Sequence, residues 1–303
     1  YIELDKFQSY QFSELYPNDF DNPGIVHSPK YLEELTLIHS MGSSVLLTGN
    51  GGDEVCWGHS ASYRNRLYRG ELGVIAEVAK ASKKLNEPLI RSLTQLFLKP
   101  LVPDQLKHLL NLAKGVPKPS VQPRWLTTKA NGLIEEHRTF TNPFSKAKEP
   151  AKYARYHSIK TTSTYNSMRS YQKLASRFEI DVRHPFFDTD IVEFSFAVPE
   201  KMLIRGAYPK WLLRKTMNGH LPDEVCWNLN KVVFDHHFAN LVRSNASELR
   251  ILLSHKGLQD LGLIDNDALL TAFDALVNDP SMNINVDMLY AILTQQWYQK
   301  HFC

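Results

Sequence analysis

The stretch TGNGGDEVCWG, Thr48 to Gly58, sets four glycines beside two acids, Asp53 and Glu54, directly behind the apolar run SSVLL. Glycines at 49, 51 and 52 let a backbone come close to a phosphate or a carboxylate. In open parallel α/β sheets, ligands collect beyond the carboxyl ends of the strands, where such a loop meets a helix N-terminus. An acid there repels a phosphate unless a divalent cation lies between them, so Asp53 points to Mg²⁺. The same residues also suit a bare tight turn with Asp53 and Glu54 in the acidic first turn of a helix. A lone glycine-rich loop does not separate the two readings.

Two other constellations carry charge at useful spacing. In FEIDVRHPFFDTDIVEF, Arg183 stands two residues from Asp181 and five from Asp188, and Pro185 enforces an extended approach to the following helix. Arg183 could orient a carboxylate or simply pair with an aspartate. Further on, Lys210 and Arg214 are one helical turn apart, Lys215 follows, and Lys231 lies in the apolar context NKVVF. A lysine in such a run snorkels, pairs, or reaches into an anion site. His236 and His237 are adjacent, which aims them apart rather than at one metal. No GxSxG elbow or comparable nucleophile signature is present.

The elements that must position these groups read as follows. SPKYLEELTLIHSMG is a helix capped by Ser28, with Pro29 at its first position and Gly42 closing it. SSVLLTG follows as a short strand expected to be buried on both faces. Helix, turn, strand and glycine loop form the grammar of a parallel α/β sheet. Beyond Gly58, ELGVIAEVAKASKKL and EPLIRSLTQLFLKPLVP read as amphipathic helices, with Lys80, Lys83 and Lys84 on a solvated face. GVPKPSVQPRW is a proline-punctuated linker. DTDIVEFSFAVPEK is a helix capped by Asp188, packed through Ile191, Val192, Phe194 and Phe196 and stopped by Pro199; YPKWLLRKTMNG is another, stopped by Gly219. Residues 245 to 300 look helical throughout. One strand cannot make a sheet. Its partners must come from the first 22 residues, from weaker strands, or from polypeptide outside this chain.

The 303 residues, 43% hydrophobic and 11% aromatic, are ample for a buried core, and the small formal charge of +3 gives no support to a nucleic-acid or membrane-surface role. Cys56, Cys226 and Cys303 are far apart and odd in number, which suggests neither a disulfide framework nor zinc, and fits a reducing cytoplasm. No apolar run reaches the roughly 18–20 residues of a membrane span, and the N-terminal residues do not resemble a signal peptide.

Taken in order, LLTGNGGDEVCWG, then VRHPFFDTDIVEFSFAVPEKMLIRGAYPKWLLRKTMNGHLPDEV, then NKVVF resemble the synthetase domain of the asparagine synthetase family, which includes β-lactam synthetases and lasso-peptide cyclases. PRWL at 123 to 126 and LTQQW at 293 to 297 add to the resemblance, which runs from about Lys30 to the C-terminus. It implies an α/β fold: a parallel HUP-type nucleotide-binding sheet with an extensive helical C-terminal portion. Residues 1–60 are then a partial nucleotide-binding region, 61–150 a helical insertion and linker, and 151–303 the helical part of the domain.

The resemblance further implies ATP- and Mg²⁺-dependent amide formation through an acyl-adenylate, joining a carboxylate substrate (a peptide side chain or aspartate) to an amine acceptor. Asp53 matches the family's Mg²⁺-binding aspartate, Lys231 the lysine near the phosphates, and Lys210 the lysine of KxxLR. Asn50 matches the variable loop position that helps separate the family's chemistries. Gly49, Gly51, Gly52, Glu54 and Arg183 belong to the matched nucleotide-side segments.

This sequence also departs from the family pattern. The SGGxDS PP-loop and the N-terminal cysteine of a glutaminase domain are absent, so an upstream segment in the same or another chain is expected to supply the PP-loop. Asn50 replaces the acid usual in asparagine-forming members, Asp181 the glutamate of ExRxPF, and Asn228 a common arginine. RHPF and the WG after GGDE resemble peptide-modifying members, which gives a macrolactam-forming cyclase as the leading expectation. A glutamine-dependent asparagine synthetase and a noncatalytic binding module are the alternatives.

Overall fold

The computed structural model describes residues 29–102, 122–136, 141–146, 148–229 and 235–303; the Lys231 segment lies outside them, as do Ser28 and most of the proline-rich linker. The described chain is mostly helical with a small parallel sheet. Strand β1, Val45–Leu47, pairs in parallel with β2, Asp181–Arg183, in the register Val45↔Asp181, Leu46↔Val182 and Leu47↔Arg183. The ladder continues past both ends, with Asp181 N–H donating to the Ser44 carbonyl at 2.8 Å and Thr48 N–H to the Arg183 carbonyl at 3.0 Å. DVR is a weak strand by sequence, one apolar residue between two charges. It pairs because the Pro29–Ser40 and Thr162–Ser176 helices bury Leu35, Tyr171, Leu174 and Ala175 together with Ile180 and Val182.

The expectation that β1 is buried on both faces is corrected. Val45 is 41% and Leu47 64% exposed, since two strands alone leave part of the sheet uncovered among the described residues.

After β1 come the helices Gly52–Cys56, Ala61–Tyr68 and Gly73–Lys84. The next amphipathic run is α-helical only over Leu89–Leu93. It then widens to a π-helical turn, Thr94–Leu98, and a 3-10 turn, Lys99–Leu101. Two features account for this: the Thr94 hydroxyl bonds the Ile90 and Arg91 carbonyls, and Pro100 brings no N–H to continue the α-helix. Tyr63, Val74, Val78, Phe97 and Ile204 form a small core here.

The helices Pro150–Ile159 and Thr162–Ser176 precede β2. A 3-10 turn, Pro185–Phe187, then leads to the helix Thr189–Ala197, which Asp188 caps as expected by accepting from Asp190 N–H at 3.0 Å. Ile191 and Phe194, expected to be packed, are 42% and 56% exposed and instead line an apolar hollow of about 250 Å³ with Leu212 and Leu213. A short helix, Glu200–Leu203, and a hairpin of β3 (Ile204–Arg205) with β4 (Tyr208–Pro209) deliver the chain to the helix Trp211–Met217.

The C-terminal region packs Asp235–Ser244, Ala246–Leu253, Asn266–Asn278 and Val286–Phe302 around Val242, Leu249, Leu253, Leu269, Phe273 and Ile292. Each such side chain contributes roughly 1.5–3 kcal/mol on burial. Trp125 of PRWL is 7% exposed in this core, and its carbonyl accepts from Asp265 N–H at 2.8 Å. That contact ties the segment after the linker to the last helices. Among the described residues, no helix is long and apolar enough to cross a membrane.

Candidate active site

The parallel pairing brings two loops together at the carboxyl ends of β1 and β2: the glycine loop after Leu47 and the HPFFD turn after Arg183. Thr48 and His184, the first residue of each, bond through Thr48 Oγ1 and His184 Nδ1 at 2.6 Å, and Asn50 N–H donates to the same hydroxyl at 3.3 Å. Burial holds the His184 imidazole below its usual pKa. A neutral ring therefore joins the loops at pH 7.

Gly51 is where the glycine is needed. Its φ is +92°, and a Cβ there would lie 2.9 Å from Phe187 Cδ2 and 3.0 Å from Phe186 Cβ. No other residue type fits a left-handed backbone pressed against those rings. Farther along, a Cβ on Gly58 would stand 2.4 Å from the Leu203 carbonyl carbon and 2.5 Å from Ile204 N. The segment between these two glycines, carrying Asp53, Glu54 and Trp57, is thus held at both ends by different parts of the fold. By contrast nothing lies within 4 Å of a Cβ on Gly49, which borders open space.

A cavity of about 520 Å³ opens between these loops, with Gly49, Asn50, Gly51, Asp53, Glu54 and Lys210 in its wall. Lys210 Nζ lies 2.6 Å from Asp53 Oδ1 and 5.9 Å from the centre of the Trp57 ring. Lys210 reaches this position from a left-handed backbone, φ +57° and ψ +35°, at the N-cap of Trp211–Met217. A lysine in that region is held at a cost of roughly 1–2 kcal/mol. Such strain persists only when the surroundings enforce it, and functional sites are where it concentrates. Arg214, one turn along, does not share Lys210's direction: it donates to the Pro209 carbonyl at 2.9 Å and the Cys226 carbonyl at 2.6 Å.

The remaining candidates fall as follows. Gly52 is buried beside Phe186, with Lys210 Nζ 3.8 Å from where its Cβ would be. Arg183 lies outside the cavity wall. It donates from Nε to Asp181 Oδ2 at 2.8 Å, and both side chains are more than half exposed. Lys231 is outside the described residues.

The sequence reading missed the opposite wall, where the Thr162–Ser176 helix presents Ser163, Thr164, Ser167 and Met168, joined by Phe187 and Val286. Hydroxyls at 163 and 167 are four apart, on one helix face, and that spacing was the available signal. It also missed His59 and Arg155, which stand behind the Asp53–Glu54 wall.

A hard carboxylate in the wall, 48% exposed, suits Mg²⁺, which takes one or two carboxylates and fills its remaining positions with phosphate oxygens and water. Among the described residues, no group of three or more His, Cys, Asp or Glu side chains gathers to hold a metal unaided. Asp53 alone would leave most coordination positions of such an ion to other ligands.

A family model described as asparagine synthase matches residues 20–299, which spans the loop, the HPFFD turn, the Lys210 helix and the C-terminal core. No curated protein and no solved structure matches the chain. The match covers most of the 303 residues, and the chain belongs to the asparagine synthase family.

Proposed function

We propose that the protein is an ATP- and Mg²⁺-dependent carbon–nitrogen ligase that activates a carboxylate as an acyl-adenylate and transfers it to an amine, most specifically as a macrolactam-forming peptide cyclase. One observation carries this reading: Asp53 and Lys210, 157 residues apart in sequence, meet at 2.6 Å in a cavity at the carboxyl ends of two parallel strands. Family membership supports the ATP dependence and the ligase class.

Mg²⁺ supplies charge neutralisation for the phosphates when bound. Asp53 would hold the ion, and Lys210, released from Asp53, would turn its ammonium to the phosphate oxygens. Cationic groups preorganised in a walled cavity stabilise developing charge better than water does. Lys231 joins them by its match to the family lysine. Phe186 and Phe187 fix the backbone of Gly51, so Asp53 needs little reorganisation when the ligand arrives.

The β1–β2 pair is read as part of a HUP-type sheet, with the PP-loop supplied by an upstream segment in the same or another chain and the remaining strands by the first 22 residues, by weaker strands or by that segment. The exposed Val45 and Leu47 suit such a cover. Free Cys56, Cys226 and Cys303 suit a reducing cytoplasm. Asn50, a neutral amide in the cavity wall, favours a peptide substrate over ordinary asparagine formation.

Carboxylate-dependent ATP–pyrophosphate exchange tests the reading. Asp53→Asn should lower exchange by about 10²–10³-fold and raise the Mg²⁺ concentration it needs. Full activity in Asp53→Asn would sink the assigned site. Asparagine formation from aspartate, ATP and glutamine would transfer the assignment to an asparagine synthetase.

A further inference from the structure

The cation that meets Asp53 is delivered by a support outside the cavity. Lys210 follows directly on a hairpin of two residues per strand, Ile204–Arg205 against Tyr208–Pro209, closed by a turn at Gly206 and Ala207. An isolated pair of strands is marginal in water, so a hairpin this short cannot by itself hold a lysine at φ +57°. Both backbone polar groups of Gly206 are taken by side chains from two earlier helices. Tyr63, on Ala61–Tyr68, donates its hydroxyl to the Gly206 carbonyl at 2.5 Å. Glu77, on Gly73–Lys84, accepts from Gly206 N–H through Oε1 at 2.7 Å. These contacts cross 143 and 129 residues of sequence, and they grip a turn residue that itself has φ +58°.

Each half of this clamp is fixed from behind. Arg66 donates from Nη2 to Glu77 Oε2 at 2.9 Å and from Nε to Glu71 Oε2 at 3.0 Å, so the Glu77 carboxylate keeps one oxygen for the arginine and one for the turn. Tyr63 is buried with Val74, Val78 and Ile204, the first residue of the hairpin. Burial, with the Glu77 charge nearby, pushes its phenol above the usual pKa, so the hydroxyl stays a donor at neutral pH. Beyond the turn, Arg214 holds the Pro209 carbonyl at 2.9 Å, immediately before Lys210. Among the described residues, neither helix puts a side chain into the cavity wall. Four residues carry the chain from Gly206 to Lys210, a reach of about 13 Å at strand rise, so a pivot of about 5° at the turn moves the far end about 1 Å. A displacement of that size can cost about 10²-fold at a reacting centre.

We propose that Tyr63 and Glu77 are positioning residues that set the Lys210 ammonium against Asp53 through the backbone of Gly206. The helices Ala61–Tyr68 and Gly73–Lys84 then serve the site without touching substrate. The effect on turnover rests on the ligase reading; the coupling of Gly206 to the Lys210–Asp53 pair does not.

Two readouts on Tyr63→Phe and Glu77→Ala in the full protein test this. The first is acetylation by N-hydroxysuccinimidyl acetate, followed at each lysine by peptide mass mapping, which needs no substrate. Lys210 is 26% exposed and engaged by Asp53. Its acetylation rate relative to that of Lys83, exposed on the same helix as Glu77, should rise by about threefold in either variant as the pair loosens. Taking Lys83 as the reference removes any general fraying of that helix. The second readout is carboxylate-dependent ATP–pyrophosphate exchange. It should fall by at least about tenfold in either variant, and the fall should vanish in a Lys210→Gly background, where no ammonium is left to place. Tyr63→Phe keeps the ring in the core and decides alone if Glu77→Ala does not fold. An unchanged relative rate at Lys210 in Tyr63→Phe overturns the proposal, and so does an equal loss of exchange with and without Lys210. If the wild-type protein shows no exchange, the ligase reading falls and the acetylation rates alone decide the positioning.

Discussion

Replacing Lys210 by glycine separates a catalytic cation from a structural one, because the stability effects nearly cancel. Lys210 holds φ +57°, so glycine at this position relieves roughly 1–2 kcal/mol of left-handed strain. Against that, glycine adds about 0.4–1 kcal/mol of unfolded-state freedom. Loss of the pair with Asp53, whose side chain is 48% exposed beside a lysine at 26%, costs only about 0.2–1 kcal/mol in solvent-screened surroundings. The Trp57 ring at 5.9 Å adds about 0.5 kcal/mol at most. The net lies within about 1 kcal/mol of zero. For a chain of 303 residues that is a melting shift of at most about 2 °C. Exchange activity should nevertheless fall by about 10²–10³-fold, the loss expected when a preorganised charge leaves a reacting centre. Scanning calorimetry and ATP–pyrophosphate exchange on one preparation read both quantities. Lys210→Gly with activity within threefold of the wild type refutes the catalytic role. A loss of more than about 3 kcal/mol in stability refutes the reasoning about strain.

Other expectations follow from the same geometry. Arg155→Met leaves Glu200 half-sheltered without its partner and should cost about 2–4 kcal/mol in denaturant unfolding, whereas Arg155→Met with Glu200→Met should recover most of it; an additive double variant would show that the pair is not coupled. His184 has a folded pKa below its unfolded value near 6.5, so its contribution to stability is present above that pH and is lost as pH falls through the folded pKa. Melting curves between pH 7.5 and 5 should show this decline, flattened in His184→Gln; an unchanged slope would mean the ring does not report on loop closure. Gly58→Ala forces a methyl carbon against the Leu203–Ile204 backbone and should destabilise by several kcal/mol, measured by circular dichroism melts.

How far the sequence foretold this depends on the kind of signal each part carried. The Pro29–Ser40 helix, the Asp188 cap and the glycine loop were legible because capping and turn chemistry are local. Asp53, Asn50, Glu54 and Lys210 were found by residue type and ordered resemblance, and they do share one cavity wall. β2 was not legible: Asp181–Arg183 has one apolar residue, and its pairing depends on a helix packed across it. The exposure of Ile191 and Phe194 was hidden for the same reason, since an apolar residue states a preference for cover without saying whether cover is present. Arg155 had no local signature at all. Its importance appears only once Glu200 and Phe196 enclose it.

The β1–β2 ladder has a consequence for how the protein is made. Thr48 and His184, the bonded pair that closes the two loops, are 136 residues apart. Closing a flexible loop of that length carries an entropic cost of about 4 kcal/mol before any packing offsets it. During synthesis at about 5–20 residues per second, the glycine loop emerges roughly 7–27 s ahead of the turn that will hold it. Throughout that interval Asp53 has neither Lys210 nor the Phe186–Phe187 buttress, so the nascent N-terminal part carries the acid without the cavity. Folding of the site is therefore timed by its last-made wall, and chains released before Lys210 is translated should remain substrates for chaperones and proteases, with no partly working pocket to protect them.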